Sequence, residues 1–422
     1  MAVKGSTWNE SEIFQDPVTL RSVRRVTTTG QYNNTPTYHT NTAFTADGEY
    51  VIFASARHGH SAVYRCRVET GEITCLTEPV PGLGSRGELH GLSPLSRGLI
   101  GDGRGICGSF LVAPVSRTAI FGRGNAIRSV HIDTLDERVL IAGEEERIYG
   151  VASVDPDETH VLVVSGPAHP QILAGERVTG TLGECLPPES RVYRLHKVPL
   201  DGGEPEIIRE EIGVSMGHCQ YCPTDPDLLL MDRNDSNLSR EEYVSRLWLL
   251  RISSGELTPL APRDENPFQI HATWSWDGRY VVYHGESAHG GYHPAAEANG
   301  GIEVRDFRRG WYIGVIGRDA RVLREYCFPM ARYYGHVAAM KDRPAVILDG
   351  NLFPDMLYWL YYDAEAPRIE IIARHDSDIT TMPGQYGHVH QQCDPTGRYI
   401  VFNSAPLRFI DRGRSDVYVV KV

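Results

Sequence analysis

The sequence lacks the features that mark membrane and nucleic-acid-binding proteins. No apolar run is long enough to span a bilayer, and the first residues do not join a basic segment to an apolar one. These absences predict a cytoplasmic protein. Positive charge is also scarce, because 42 Lys and Arg face 54 Asp and Glu, a net charge of -12. That balance argues against a nucleic-acid or membrane partner but leaves room for a small acidic ligand in a locally basic pocket.

Cysteine is sparse too, with eight residues scattered through strand-like segments. In a chain of this length they are expected to be buried thiols rather than a disulfide framework. Cys219 and Cys222 form one C-x-x-C pair, and the sequence has no second pair of this kind to complete a zinc site. We interpret the pair as one strand residue and one turn residue, not as a zinc ribbon.

Helical periodicity is almost absent, and a strand pattern recurs about every 50 residues. The clearest unit begins at 44–53 with a strand, an Asp-Gly turn and a second strand, and ends at the Thr-Gly-Glu hairpin 70–72. Copies begin near Val151, His218, Ser275, His336 and Asp394, and a blurred one runs from Phe110 to Leu140.

Seven such units predict an all-β fold, a seven-bladed β-propeller of four-stranded blades that forms a single domain over residues 1–422. The last strand, 416–422, lacks a fourth partner. The segment Ser22–Thr27 is predicted to supply it, which would close the ring and cover an exposed edge.

Four histidines share one position in successive repeats. His218, His271, His336 and His390 each stand seven residues before a turn position, held respectively by Asp225, Gly278, Arg343 and Gly397. A single histidine of this kind is more often a core residue bonded to a backbone carbonyl. Four at one register instead predict a ring of imidazoles around the channel in blades four to seven.

A metal site is expected within this ring. Residues i and i+2 of a strand share a face, so His388 and His390 can reach one ion, and neutral imidazole binds divalent transition metals. Gln385 offers an amide oxygen, and His336 from the adjacent blade completes a set of three histidines and one glutamine. His289 and His293 form a competing pair, but their glycine-rich surroundings favour a loop over the pocket.

These motifs together resemble the oligogalacturonate lyases. The resemblance rests on Phe44–Gly48, the Thr-Gly-Glu hairpin, His218 before 223–226, the strand 245–248, His271 before 274–278, and the cluster of Gln385, His388 and His390. It implies a seven-bladed propeller that splits short galacturonides by β-elimination with manganese.

By the same resemblance, His336, Gln385, His388 and His390 would be the metal ligands, His271 the base, and Arg246 a contact for a substrate carboxylate. His218 is also expected to face the substrate, and Arg233 and Arg332 rank behind Arg246. The second blade matches the family pattern poorly. The segments 170–190 and 287–301 are longer than the pattern requires, so the uronate could differ from galacturonate.

The expected chemistry suits these residues. A neutral histidine is a fitting base for the proton at C5 of a uronate, and an arginine fork matches a carboxylate. Two other hypotheses stay open: a metal-dependent epimerase or hydrolase of acidic sugars, and a non-catalytic propeller that binds proteins. The sequence does not name the sugar, its length or the oligomeric state.

Overall fold

The computed structural model of the chain describes residues 2–30, 32–34, 40–81, 106–123, 126–144, 146–174, 182–234, 245–260, 268–286, 311–328, 335–350, 353, 355–377, 388–405 and 414–422. Within these ranges, strands form seven antiparallel sheets. No helix in the same ranges is long and apolar enough to cross a membrane.

The strands are numbered in chain order. They are β1 (Thr7–Asn9), β2 (Glu12–Gln15), β3 (Ser22–Arg25), β4 (Tyr32–Asn34), β5 (Tyr50–Arg57), β6 (His60–Arg67), β7 (Glu72–Cys75), β8 (Val80–Pro81), β9 (Ile106–Ala113), β10 (Thr118–Arg123), β11 (Ala126–His131), β12 (Glu137–Ala142), β13 (Arg147–Val154), β14 (His160–Pro167), β15 (Val192–Pro199), β16 (Glu206–Ile212), β17 (Ser215–Cys222), β18 (Asp225–Asn234), β19 (Leu247–Arg251), β20 (Glu256–Leu260), β21 (Phe268–Trp274), β22 (Tyr280–Glu286), β23 (Trp311–Gly317), β24 (Val322–Phe328), β25 (Val337–Ala339), β26 (Ala345–Leu348), β27 (Met356–Tyr361), β28 (Arg368–Arg374), β29 (Gln392–Cys393), β30 (Tyr399–Ser404) and β31 (Asp416–Lys421).

Each sheet is one blade of a seven-bladed β-propeller, which confirms the predicted fold class. Blades 2 to 6 are four-stranded meanders, β9–β12, β13–β16, β17–β20, β21–β24 and β25–β28. Blade 1 is built on β4–β7, and blade 7 on β29–β31. Two short helices, α1 (Pro170–Leu173) and α2 (Leu182–Cys185), lie between β14 and β15. They fall in the long segment noted in the sequence.

The ring closes as predicted, because β3 pairs with β31 and places Val23 opposite Val420. The N-terminal segment does more than this: β2 extends blade 7 by a fifth strand, and β1 pairs with β7 of blade 1. Asp416 fixes the junction. Its buried carboxylate accepts hydrogen bonds from Arg25 Nη2 at 2.6 Å and from Thr27 Oγ1 at 3.0 Å. The first strands therefore join the first and last blades.

Apolar side chains fill the spaces between neighbouring blades. Phe53 and Tyr64 of blade 1, for example, belong to one buried cluster with Val401 and Val419 of blade 7. One expectation about cysteine was wrong. Cys219 and Cys222 both lie in β17 and are buried, because the strand continues to Cys222 before the chain turns.

Candidate metal centre and active site

The repeat places the four histidines at the first strands of four blades: His218 and His271 lie within β17 and β21, and His336 and His390 lie just before β25 and β29. His218, His271 and His390 all adopt a left-handed backbone, with φ of 48°, 51° and 45°. A non-glycine residue rarely occupies this region, so its recurrence shows that the three positions are structurally equivalent. The β17–β18 and β21–β22 pairings shift register at these points, as expected for a bulge that redirects a side chain.

Three imidazoles converge on one point. His336, His388 and His390 each offer a ring nitrogen, and these atoms all lie within 4.8 Å of one another. His336 Nε2 is 3.5 Å from His388 Nδ1. His271 lies beside this trio, with its ring centroid 4.4 Å from that of His336. Gln385 lies outside the described residues, as do Arg332, His289 and His293.

The way in which His388 and His390 converge differs from the expectation. Residues 388–390 are not a strand, because β29 begins only at Gln392. Alternation along a strand therefore does not explain why both rings face the trio. The left-handed backbone of His390 turns the chain instead, and the two ring centroids lie 5.5 Å apart.

A second set of polar residues, missed in the sequence, faces the inner histidines. They follow the same turns by six or seven residues, on or directly after the second strand of each blade, and all are buried: Asp232, His284, Asp349 and Asn403. In an antiparallel hairpin, residues equally distant from the turn lie opposite each other. The histidine register therefore predicts the partner positions, and this signal was available in the sequence.

Asp349 orients His336. Its Oδ2 lies 2.8 Å from His336 Nδ1, and its Oδ1 accepts the backbone N–H of His336. Because Nδ1 is held by the carboxylate, Nε2 is the nitrogen that faces the trio. Burial raises the pKa of Asp349 to about 6. His375, also missed in the sequence, places its Nε2 3.2 Å from the carbonyl oxygen of Asp349.

The trio is held in its neutral form. Burial lowers the pKa of His336 well below its usual value, and the neighbouring imidazoles of His388 and His284 lower it further. Burial also lowers the pKa of His388. The pKa of His390 falls well below its usual value for the same reason, together with the nearby His336. Neutral imidazole is the form that binds metals.

The donor set therefore fits a divalent transition metal. Two imidazole nitrogens bound to one ion at about 2.1 Å lie roughly 3.0–3.4 Å apart. The 3.5 Å separation of His336 Nε2 and His388 Nδ1 is close to this value. The carboxylate of Asp349 behind His336 repeats the carboxylate–histidine arrangement that fixes ligand orientation at metal sites.

His271 has a different partner. Its Nδ1 lies 2.7 Å from the carbonyl oxygen of Gly335. A carbonyl can only accept a hydrogen bond, so Nδ1 carries the proton and Nε2 carries the lone pair. His284 packs against the same ring, with centroids 4.8 Å apart. The hydrogen bond therefore fixes the Nδ1–H tautomer of a neutral His271 and leaves Nε2 as its proton acceptor.

The candidate substrate residues are tied to one buried carboxylate. Oδ2 of Asp232 lies 2.7 Å from His218 Nδ1 and 3.1 Å from Arg246 Nε. Arg233 has other partners. Its Nη2 lies 3.1 Å from Glu211, and its guanidinium covers the Trp248 ring. Of the two described arginines, Arg246 is thus the one placed beside an inner histidine.

The fold and this cluster define a seven-bladed β-propeller with a candidate three-histidine metal centre on its inner strands. The sequence matches no protein-family model and no curated protein. Solved structures do match. An oligogalacturonate lyase in complex with manganese is 20% identical, covers 100% of this chain and 98% of its own, and has a TM-score of 0.71.

An oligogalacturonate lyase from Vibrio parahaemolyticus is 19% identical, with 99% of this chain and 98% of that one covered and a TM-score of 0.71. At these identities the likeness establishes a shared fold over the full length. The fold that the resemblance implied is therefore confirmed, and the activity has to be argued from the site.

Proposed function

We propose that this protein is a metal-dependent lyase that cleaves short uronate-containing oligosaccharides, oligogalacturonides first, by β-elimination. The observation that carries the proposal is the placement of His271. Its ring packs against His336 of the three-histidine cluster. Its Nδ1, however, is hydrogen-bonded to the Gly335 carbonyl, so His271 is not part of the proposed ligand set. A metal centre and a separate neutral base are the two parts that this reaction needs.

His336, His388 and His390 would hold the ion, with Gln385 proposed as a fourth ligand. When bound to the C6 carboxylate of a uronate, a divalent cation withdraws charge and makes the C5 proton more acidic. We propose manganese, because the resemblance implies it and a structure of the same fold is a manganese complex.

His271 would take the C5 proton at Nε2. The hydrogen bond from Nδ1 to Gly335 fixes both the tautomer and the ring direction, so the lone pair is presented without a tautomer change. Because Gly335 directly precedes His336, the same backbone segment positions the base and one ligand. A small displacement of either would change both.

Arg246 and His218 would bind the acidic substrate from blade 4. Asp232 fixes Arg246 through the Nε–Nη2 edge of its guanidinium. Nη2 lies 3.0 Å from Asp232 Oδ2. An arginine held in this way can present its other donors to a carboxylate. The proposed partner is thus a small acidic oligosaccharide. The negative net charge of the whole protein does not prevent such a ligand from binding in a locally basic pocket.

The test is an assay of purified protein against a panel of oligouronides, with manganese and with chelator. Elimination creates a conjugated unsaturated uronate, so far-ultraviolet absorbance should rise with manganese and stop with chelator. Analysis of the products by mass spectrometry separates the other reactions, because hydrolysis adds water and epimerisation leaves the mass unchanged. Absence of an unsaturated product from every uronide would contradict the proposal.

A further inference from the structure

His218 and His271 occupy equivalent positions, yet their partners differ in charge. His271 Nδ1 bonds to the neutral carbonyl of Gly335 at 2.7 Å, and His218 Nδ1 bonds to the carboxylate of Asp232 at 2.7 Å. Both acceptors require a proton on Nδ1. Each hydrogen bond fixes the direction of its ring, through a neutral carbonyl for His271 and through a charged carboxylate for His218. The two histidines therefore lie in electrostatically different surroundings, which suits them to different steps.

The carboxylate of Asp232 is ionised. Burial would raise the pKa of this carboxyl, but the Arg246 guanidinium and His218 outweigh it and hold the pKa below its usual value. One oxygen, Oδ2, faces His218 Nδ1, Arg246 Nε and Arg246 Nη2. Asp232 is itself buried, so its charge acts on these two neighbours with little screening by water.

His218 lies nearer to solvent than the other inner histidines. Its side chain is 22% exposed, whereas His271 and His336 are almost fully buried. Its backbone is fixed to the next blade by Gln220, whose Nε2 donates to the carbonyl oxygens of His218 at 3.3 Å and Ala272 at 2.8 Å. Ala272 directly follows His271, so one buried amide sets the spacing of the two histidines.

From this geometry we infer that His218 is the general acid of the elimination; the inference rests on the proposed function. His271 Nε2 takes the C5 proton, and the electrons of that C–H bond form the C4=C5 double bond. The C4–O4 bond breaks, and the leaving oxygen takes a proton from His218 Nε2. Asp232 is a positioning residue, because its carboxylate accepts the hydrogen bond from His218 Nδ1 and fixes the direction of the ring.

Arg246 does not fit the donor role. A guanidinium stays protonated in proteins, with a pKa above about 12, so it stabilises negative charge without giving up its proton. It is suited to binding a substrate carboxylate beside the leaving oxygen. Of the two residues bonded to Asp232, His218 would thus donate the proton and Arg246 would bind the substrate carboxylate.

The experiment compares two leaving groups in the full-length protein loaded with manganese. The substrates are trigalacturonate, which loses a sugar alkoxide, and a galacturonate with 4-nitrophenol linked at O4, which loses a stable phenolate. Wild-type protein is measured first on both substrates. His218→Gln should lose at least ~10²-fold in kcat on trigalacturonate and less than about tenfold on the nitrophenyl substrate, because a stable leaving group does not need an acid.

Asp232→Asn should follow the same pattern with a smaller loss, and His271→Ala should fail on both substrates. His160→Gln is the matched control, because His160 also faces a carboxylate, Asp155 at 3.4 Å, but is the first residue of β14 in blade 3. It should resemble wild type on both.

Failure of the proposed function and failure of the His218 assignment give different results. If wild-type protein forms no unsaturated product from trigalacturonate, the proposed function is wrong. If wild type is active and His218→Gln loses the same factor on both substrates, His218 is not the acid, and its role is binding or structure. Retention of full trigalacturonate activity by His218→Gln overturns the assignment equally.

Discussion

His271 Nδ1 lies 2.7 Å from the carbonyl oxygen of Gly335, so the candidate base is hydrogen-bonded to the residue directly before a candidate metal ligand. This bond crosses from blade 5 to blade 6. It joins two parts of the site that are far apart in the chain and for which separate chemical roles are proposed.

The first prediction concerns His271. His271→Ala should keep its metal and bind substrate, while kcat falls by at least ~10²-fold, because only the base is removed. Metal analysis, calorimetric binding of trigalacturonate and turnover measure the three quantities separately. Loss of the ion would show that His271 is a ligand, and an active variant would show that the base lies elsewhere.

The second prediction concerns the metal. His388→Ala should lose bound manganese and activity together, because it removes one of three converging nitrogens. His60→Ala is the control, since His60 begins β6 of blade 1 and its Nδ1 lies 3.0 Å from the carbonyl oxygen of His58 in the same hairpin. Elemental analysis after dialysis gives the result. Stoichiometric metal in His388→Ala would exclude this ligand set.

The third prediction concerns Asp349, which touches His336 but not the proposed ion. Asp349→Asn should weaken metal affinity by about 10- to 100-fold, since the amide no longer provides two acceptors for the N–H groups of His336. Competition with a chelator of known affinity measures the change. Unchanged affinity in a folded variant would mean that His336 needs no carboxylate to orient it.

The fourth prediction concerns ring closure. Asp416→Ala should lower the free energy of unfolding by on the order of 3 kcal/mol, because it leaves Arg25 without its buried partner. Glu12→Ala removes the other partner of the same arginine, an exposed carboxylate 3.4 Å away, and should cost less than about 1 kcal/mol. Urea unfolding of both variants gives the comparison, and equal losses would contradict it.

The fifth prediction concerns pH and His196, which lies in blade 3. Burial, with the nearby Arg147 and Arg194, lowers the pKa of His196 to about 4, against about 6.5 in an unfolded chain. The unfolded chain therefore binds a proton first as pH falls, and folding stability drops between about pH 6.5 and pH 4. His196→Gln should lose less stability over this window. Urea titrations of both proteins at several pH values test this, and parallel curves would refute it.

The fold could be read from the sequence because its determinants are local. A glycine in the turn between the first two strands, as at Gly48, Gly278 and Gly397, adopts a positive φ of 70°, 65° and 72° in blades 1, 5 and 7. The closing strand was predictable because the blade that contains the strand 416–422 lacks a fourth strand, and Ser22–Thr27 was available to supply it. Blade 2 was blurred in the sequence, yet β9–β12 form a four-stranded antiparallel sheet, since backbone pairing tolerates varied side chains.

The site was predictable in part. The histidine positions followed from the repeat, but their convergence at His390 depends on a left-handed backbone that alternation does not foresee. The contact between Gly335 and His271 joins two blades through a backbone carbonyl. Every residue has such a carbonyl, so the residue types do not reveal this contact. Asp232 and Asp349 could have been found by counting from the turns. Their bonds to His218 and His336 required the structure.

The pairing of β3 with β31 also has a consequence for the order of folding. Blades 2 to 6 are made from neighbouring segments, so each can form as soon as its own residues are available. Blade 7 instead joins strands from nearly opposite ends of the sequence, and such distant contacts form slowly. His388 and His390 lie beside β29 in this last blade. The proposed metal site should therefore form late in folding, and metal binding would report that the ring has closed.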